Sequence, residues 1–225
     1  MSVPASADVA LDRHGLPKPR LRGRIHRMAF YAAIPAGLVL VALAPGVRAK
    51  VACAIYALAL VALFGVSSTY HLGRHTDEQR ARWRRADHAT IFVLIAGTYT
   101  PFCLLALRGT AATVELAIVW IGALAGVAIK MWRVDLHVLS GFMYIGLGWV
   151  AVVTLPAIAR GLDTPGTVLL VTGGALFTLG ALVLATHRPN PWPRTFGYHE
   201  IWHTMTVIAA GCQYVAILRM VMALR

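Results

Sequence analysis

The chain has 225 residues, of which 58% are hydrophobic and only 13% are charged, and its formal net charge is +12. Soluble globular domains carry about 25% charged residues, so this composition excludes an ordinary soluble enzyme and indicates a membrane protein. The positive charge does not indicate a nucleic-acid partner, because almost all Lys and Arg residues lie in short segments between long apolar runs.

Seven apolar runs follow one another along the chain, and a run of about 17–25 residues is enough to cross a bilayer as a helix. The runs lack the alternating pattern of transmembrane barrel strands, so they predict helices. The sequence therefore predicts an all-α fold, a seven-transmembrane helix bundle over residues 28–218, with tails at 1–27 and 219–225. The predicted spans are 28–45, 51–72, 87–107, 111–132, 137–158, 166–186 and 199–218.

The basic residues are distributed unequally between the two sides of this bundle. Fifteen of the 21 Lys and Arg residues fall on the side of the N-terminal tail, and six fall on the other side. By the positive-inside rule, the bias predicts an intracellular N-terminus and an extracytoplasmic C-terminus in a multi-pass protein of the plasma (inner) membrane. The tail 1–27 is then cytoplasmic, and its basic clusters are suited to contact anionic membrane lipids.

Two connecting segments carry local signals. The segment "GRHTDEQRARWRR" (73–85) mixes charges of both signs, and we expect it to be a loop along the membrane surface. The segment "HRPNPWPR" (187–194) contains three prolines in five positions, which predicts a rigid, extended connection.

Polar side chains inside spans are energetically expensive and are therefore candidates for a functional site. In the predicted topology, His71 ends the second span, Asp87 begins the third, and His199 and His203 begin the seventh. All four residues then lie at the inner ends of helices that are distant in sequence, which chance would not favour. The stretches that contain them are "VSSTYHL" (66–72), "ADHATIF" (86–92) and "YHEIWH" (198–203).

The residue types at this depth are typical of a metal site. His199 and His203 are four residues apart, so their rings share one helix face, and His71 offers a third imidazole from another helix. Three neutral imidazoles with an open fourth position describe a catalytic zinc site, and bound zinc lowers the pKa of a water molecule to roughly 7. Asp87 could hydrogen-bond that water, and Ser67, one turn from His71, could bond the water or polarise a substrate carbonyl.

Each element also has a simpler interpretation. A single histidine at a membrane interface is commonly solvated or caps a helix, and an aspartate at a helix start is an expected N-terminal acid. His88 and His137 are interpreted as structural neighbours of the site. Glu115 and Gln213, toward the opposite ends of their spans, are better explained by helix–helix hydrogen bonds than by catalysis.

The letters "HEIWH" (199–203) also match the H-E-x-x-H motif of zinc proteases, in which the glutamate is the general base. No His, Asp or Glu follows His203, so a third ligand must come from upstream. Glu200 points about 100° away from His199 around the helix. It remains a candidate base, but a first-turn acid that stabilises the helix start explains it better.

Three motifs together resemble one known family. "SSTYH" (67–71), "DHATIFVLIAGTYTP" (87–101) and "RPNPWPRTFGYHEIWH" (188–203) are similar to the haemolysin III-related bacterial branch of the PAQR (progestin and adiponectin receptor) family, over residues 17–218. The wider superfamily includes the alkaline ceramidases and is regarded as membrane metal-dependent hydrolases.

The resemblance implies a zinc ion near the inner face with His71, His199 and His203 as ligands. It also implies that Asp87 holds the water on the metal and that Ser67 is the serine of an S-x-x-x-H motif. This chain departs from the bacterial branch at Gln213, where that branch often has a histidine. The departure concerns a position in the outer half of the bundle and not the zinc site.

The functional expectation is an integral membrane zinc-dependent hydrolase that acts on an amide or ester of a lipid-like substrate. The alternatives are a non-enzymatic receptor or membrane-homeostasis protein with a structural zinc and, last, a haemolysin-like lytic activity. The expected partners are membrane lipids and the lipid-like substrate. No nucleic acid is expected, and the sequence does not identify any protein partner.

Overall fold

The computed structural model describes residues 19–225 of the chain, and in this part the fold is all-helical. An isolated bridge between Trp192 and Phe196 is the nearest approach to sheet structure within these residues. The helices are α1 (Arg24–Leu43), α2 (Gly46–Leu72), α3 (Asp77–Pro101), a π-helical turn (Phe102–Ala106), α4 (Gly109–Trp132), α5 (His137–Trp149), α6 (Ala151–Ala159), α7 (Thr164–Thr186) and α8 (Tyr198–Ala223).

These helices form seven segments long and apolar enough to cross a membrane, in which α3 continues through the π-turn and α5 continues as α6. The predicted seven-transmembrane, all-α fold is confirmed. The same pattern explains the large apolar side chains left exposed on the outer surface of the bundle, such as Leu38, Phe142 and Val153, because hydrocarbon solvates them as well as a protein core does. Residues 1–18 of the predicted tail lie outside the described residues.

The prediction of a surface loop over residues 73–85 is wrong, because α3 begins at Asp77. Thr76 and Gln79 form a reciprocal capping box at this point, and Asp77 and Glu78 place negative charge in the first turn. The charged segment is therefore the polar beginning of a long helix. This signal was present in "TDEQ" but was hidden by the mixture of charges around it.

The extended connection predicted for residues 187–194 is also wrong in its second half. The backbone N–H groups of Thr195 and Phe196 both donate to the carbonyl of Trp192, at 2.9 and 2.8 Å, so the chain folds back on itself there. This turn presents its backbone to the N-terminal segment, which we define as residues 19–23.

Close contacts between small residues hold α1, α2 and α3 side by side. A Cβ atom added to Gly37 of α1 would lie 2.8 Å from the Cβ of Ala57, and one added to Gly97 of α3 would lie 2.6 Å from the Cβ of Ala59. Such approaches favour helix association in lipid, where burial of apolar surface gives little driving force. The helix α2 is therefore fixed between α1 and α3, and this arrangement positions His71 at its end.

Candidate metal centre

Three imidazoles meet where the end of α2 approaches the beginning of α8. His71 lies in the last turn of α2, and His199 and His203 lie in the first two turns of α8. One ring nitrogen from each residue lies within 4.8 Å of the other two, and the Nε2 atoms of His71 and His199 are 3.4 Å apart. These three residues, the histidine cluster, could hold one metal ion.

Asp87 lies beside the histidine cluster but is not part of the three-nitrogen group. Its Oδ2 atom is 3.9 Å from Nε2 of His71 and 3.9 Å from Nδ1 of His88. These distances are too long for direct hydrogen bonds. His88 instead donates through Nδ1 to the carbonyl of Arg84 at 2.8 Å, as expected of a structural neighbour.

Ser67 is buried one turn from His71 on the same face of α2. Its Oγ atom lies 2.9 Å from Nδ1 of His26. The serine and the aspartate that the sequence indicated therefore both lie next to the histidine cluster.

His26 is a fourth imidazole at this position, and the sequence analysis missed it. Its ring stacks on the ring of His203 with a centroid separation of 3.7 Å and an interplanar angle of 3°. The predicted first span began at residue 28, which placed His26 in the tail, whereas α1 begins at Arg24. Extending the depth argument by one helical turn would have found it.

Glu200 is engaged away from the histidine cluster. Its Oε2 atom accepts from the backbone N–H of Gly197 at 2.9 Å, which satisfies one N–H group at the start of α8. Its Oε1 atom accepts from Nε of Arg22 at 2.5 Å, and the glutamate side chain is 1% exposed. The interpretation of Glu200 as a first-turn acid is confirmed, while its partner Arg22 was not predicted.

The N-terminal segment covers the histidine end of the bundle. The N–H groups of Arg20 and Leu21 donate to the carbonyls of Arg194 and Thr195 at 3.1 and 3.2 Å. Gly23 then turns into α1 with φ +77°, and a Cβ atom at this position would lie 2.6 Å from the Cβ of His71. Only glycine combines this left-handed conformation with so close an approach.

Replacing Glu200 with alanine is expected to destabilise the fold without removing the metal site. Arg22 would be left as a nearly buried charge without its partner, which typically costs about 3–5 kcal/mol. The measurement is thermal unfolding of the purified protein in detergent, together with its metal content. The matched control is Glu78→Ala, which breaks an exposed pair with Arg82 and should cost at most about 1 kcal/mol. A folded Glu200→Ala protein that has lost its metal would contradict this assignment.

Gln213 has the structural role expected of it, since its Nε2 atom donates to the carbonyl of Leu170 in α7 at 3.1 Å. Glu115 is buried in α4, but the hydrogen bond expected of it is not formed, since neither carboxylate oxygen has a hydrogen-bond partner among the described residues. Neither residue belongs to the histidine cluster.

The fold and the site together define an integral, multi-pass membrane protein with seven spanning helices and a histidine cluster at one end of the bundle. The chain belongs to the Haemolysin-III related family, which matches residues 14–214, and is thus a haemolysin III-related member of the PAQR family.

Relatives of this chain occur in bacteria and in animals. Hemolysin-3 of Bacillus cereus is 30% identical over 197 residues, which cover 86% of this chain and 87% of the relative. The Hemolysin-3 homolog of Bacillus subtilis (strain 168) is 29% identical, with 86% and 89% covered. Monocyte to macrophage differentiation factor of Homo sapiens is 25% identical over 173 residues, which cover 75% of this chain and 69% of the relative.

Proposed function

We propose that this protein is a zinc-dependent hydrolase that cleaves an amide or ester bond of a lipid-like substrate within the membrane. The observation that carries the proposal is the close grouping of three imidazole nitrogens beside a carboxylate and a hydroxyl that do not belong to the group. Three imidazoles can bind a metal ion, and the carboxylate and hydroxyl beside them remain free to act on a substrate.

The donor set fits zinc. Zinc accepts imidazole nitrogens at roughly 2.0–2.1 Å in tetrahedral geometry, which places neighbouring nitrogens about 3.3–3.4 Å apart. The separation between the Nε2 atoms of His71 and His199 is 3.4 Å. Three protein nitrogens leave a fourth position, as in catalytic sites. When bound, zinc supplies a Lewis acid for a substrate carbonyl and lowers the pKa of water.

Two residues of the chain have roles next to that position. Asp87 holds a water molecule and accepts its proton, and its distance of 3.9 Å from His71 leaves it outside the ligand group but within reach of a bridging water. Ser67, buried one turn from His71, donates its hydroxyl hydrogen to the substrate's polar group. The site lies at the ends of membrane-spanning helices, and this position suits a substrate that remains in the lipid phase.

A receptor or membrane-homeostasis protein with a structural zinc is the second candidate. It is favoured by the burial of His203 and by the N-terminal segment that covers the histidine end of the bundle. A structural ion would link α2 to α8 without needing access for substrate. A lytic activity is the weakest candidate, because it rests only on the name of the bacterial relatives.

The test is hydrolysis of a lipid panel by purified protein in mixed micelles. The panel contains ceramides as amide-linked lipids, and phospholipids and acylglycerols as ester-linked lipids. We expect release of fatty acid from at least one class, its loss after treatment with a chelator, and its return on addition of zinc. Stoichiometric zinc without hydrolysis of any lipid in the panel would instead support the structural role.

A further inference from the structure

The ring of His26 makes two specific contacts at the candidate site. Its Nδ1 atom lies 2.9 Å from Oγ of Ser67, and its face stacks in parallel on His203. The residue is only 3% exposed. It therefore touches one residue proposed to bind substrate and one proposed to bind the metal.

His26 does not resemble a histidine that merely fills a core position. Buried polar side-chain atoms nearly always have a hydrogen-bond partner, yet Nε2 of His26 is buried and has none among the described residues. An apolar residue would satisfy the same packing without leaving a nitrogen unbonded. It is the contact of Nδ1 with Ser67 that distinguishes this ring from a residue that only packs.

The hydrogen-bond inventory gives a direction to the contacts. Ser67 has one hydroxyl hydrogen, and we assign that hydrogen to the substrate's polar group. The oxygen of Ser67 then accepts from Nδ1–H of His26, the tautomer that leaves the hydroxyl hydrogen free for the substrate. His26 then fixes the direction in which the serine hydroxyl points.

We propose that His26 is a positioning residue, which orients the Ser67 hydroxyl through Nδ1 and holds the plane of the His203 ring by stacking. The inference rests on the proposed function, since it assigns His26 to the machinery of the same site. It also adds α1 to the helices that contribute residues to the site, which are otherwise α2, α3 and α8.

Substitutions of His26 can separate its two contacts. His26→Phe keeps a stacked ring but removes Nδ1, whereas His26→Asn keeps an N–H near the Nδ1 position and loses most of the ring. Ser67→Ala and the double variant His26→Phe/Ser67→Ala complete a double-mutant cycle. His75→Phe is the matched control, because His75 lies on the connection between α2 and α3 and bonds the Thr69 carbonyl.

The kinetic readouts are kcat and KM for the lipid that wild-type protein hydrolyses. His26→Phe should lower kcat by roughly 10–100-fold, the usual effect of removing a group that orients functional residues at a metal site, while KM and zinc affinity stay close to wild type. His26→Asn should recover most of the lost kcat but bind zinc more weakly than His26→Phe, because it lacks the ring that stacks on the ligand His203. The double variant should be no slower than Ser67→Ala. Full activity of His26→Phe, or an undiminished effect in the Ser67→Ala background, would overturn the inference while leaving the proposed function standing.

Cobalt(II) substitution provides a readout that does not depend on hydrolysis. His26→Phe and Ser67→Ala should shift the visible absorption of the bound cobalt in the same way, and the double variant should show no further shift. If the wild type hydrolyses no lipid, the proposed function fails, and this spectrum alone decides the inference. A spectrum unchanged in His26→Phe but changed in Ser67→Ala would then overturn it.

Discussion

Replacing His203 with alanine is expected to abolish stoichiometric metal binding and all hydrolysis that depends on it. His203 is the buried member of the histidine cluster, and its loss leaves two nitrogens where three are required. Loss of residues that only support metal ligands costs roughly 10–100-fold in affinity, so loss of a ligand should cost more. The measurement is metal content after purification and gel filtration, alongside His71→Ala and His199→Ala.

The same variants allow a thermodynamic check. A ligand that binds only the folded state stabilises it by about 2.7 kcal/mol at a hundred times its Kd, so added zinc should raise the unfolding temperature of the wild type and not that of the variants. His75→Ala serves as the control and should respond to zinc like the wild type. Wild-type metal content in both His203→Ala and His71→Ala would remove the histidine cluster from the account.

Replacing Asp87 with asparagine is expected to separate metal binding from catalysis. The side chain lies outside the three-nitrogen group, at 3.9 Å from His71, so zinc content should stay at the wild-type level. An amide cannot accept the proton that we assign to the carboxylate, and loss of such a group typically lowers the rate by about 10²–10⁴-fold. The measurement pairs zinc content with turnover of the preferred lipid.

Asp77→Asn is the matched control for this experiment, because Asp77 lies in the first turn of the same helix, where it only adds negative charge. Its turnover should equal that of the wild type. Two other outcomes for Asp87→Asn are informative. Retained turnover would remove Asp87 from the mechanism, and loss of zinc would identify Asp87 as a ligand and favour the structural role of the ion.

The grouping of polar residues at one end of the helix bundle could be predicted from the sequence. The length and polarity of each apolar run determine which residues lie at each end of a span, and this was sufficient to bring together His71, Asp87, His199 and His203. The seven spans follow from the same information. No three-dimensional knowledge is needed for these steps, because the bilayer imposes one common axis on all the helices.

Side-chain contacts between neighbouring helices could not be predicted in the same way. The stack of His26 on His203 and the ion pair of Arg22 with Glu200 each join residues more than 170 positions apart in sequence. They depend on which helices are neighbours in the bundle and on how each helix is rotated, and hydropathy carries little information about either. The capping box at Thr76 was readable from sequence but was outweighed by the surrounding charges.

The N-terminal segment and α1 therefore have a larger role than a membrane anchor. Arg22 neutralises the glutamate that starts α8, Gly23 allows the backbone to pass close to His71, and His26 contacts Ser67 and His203. The histidine cluster is consequently enclosed by residues from four helices. A site formed by α2, α3 and α8 alone would leave His203 open on the side that α1 covers.

The central claim is that the histidine cluster holds a metal ion, and metal analysis of the purified wild-type protein tests it most directly. Two neutral imidazoles 3.4 Å apart can share either an ion or a weak N–H···N hydrogen bond, and elemental analysis distinguishes the two. We expect about one zinc ion per chain, held by the three imidazoles of the histidine cluster and retained through purification without added metal. Protein that is folded, monodisperse and free of stoichiometric metal, even after incubation with zinc, would contradict it.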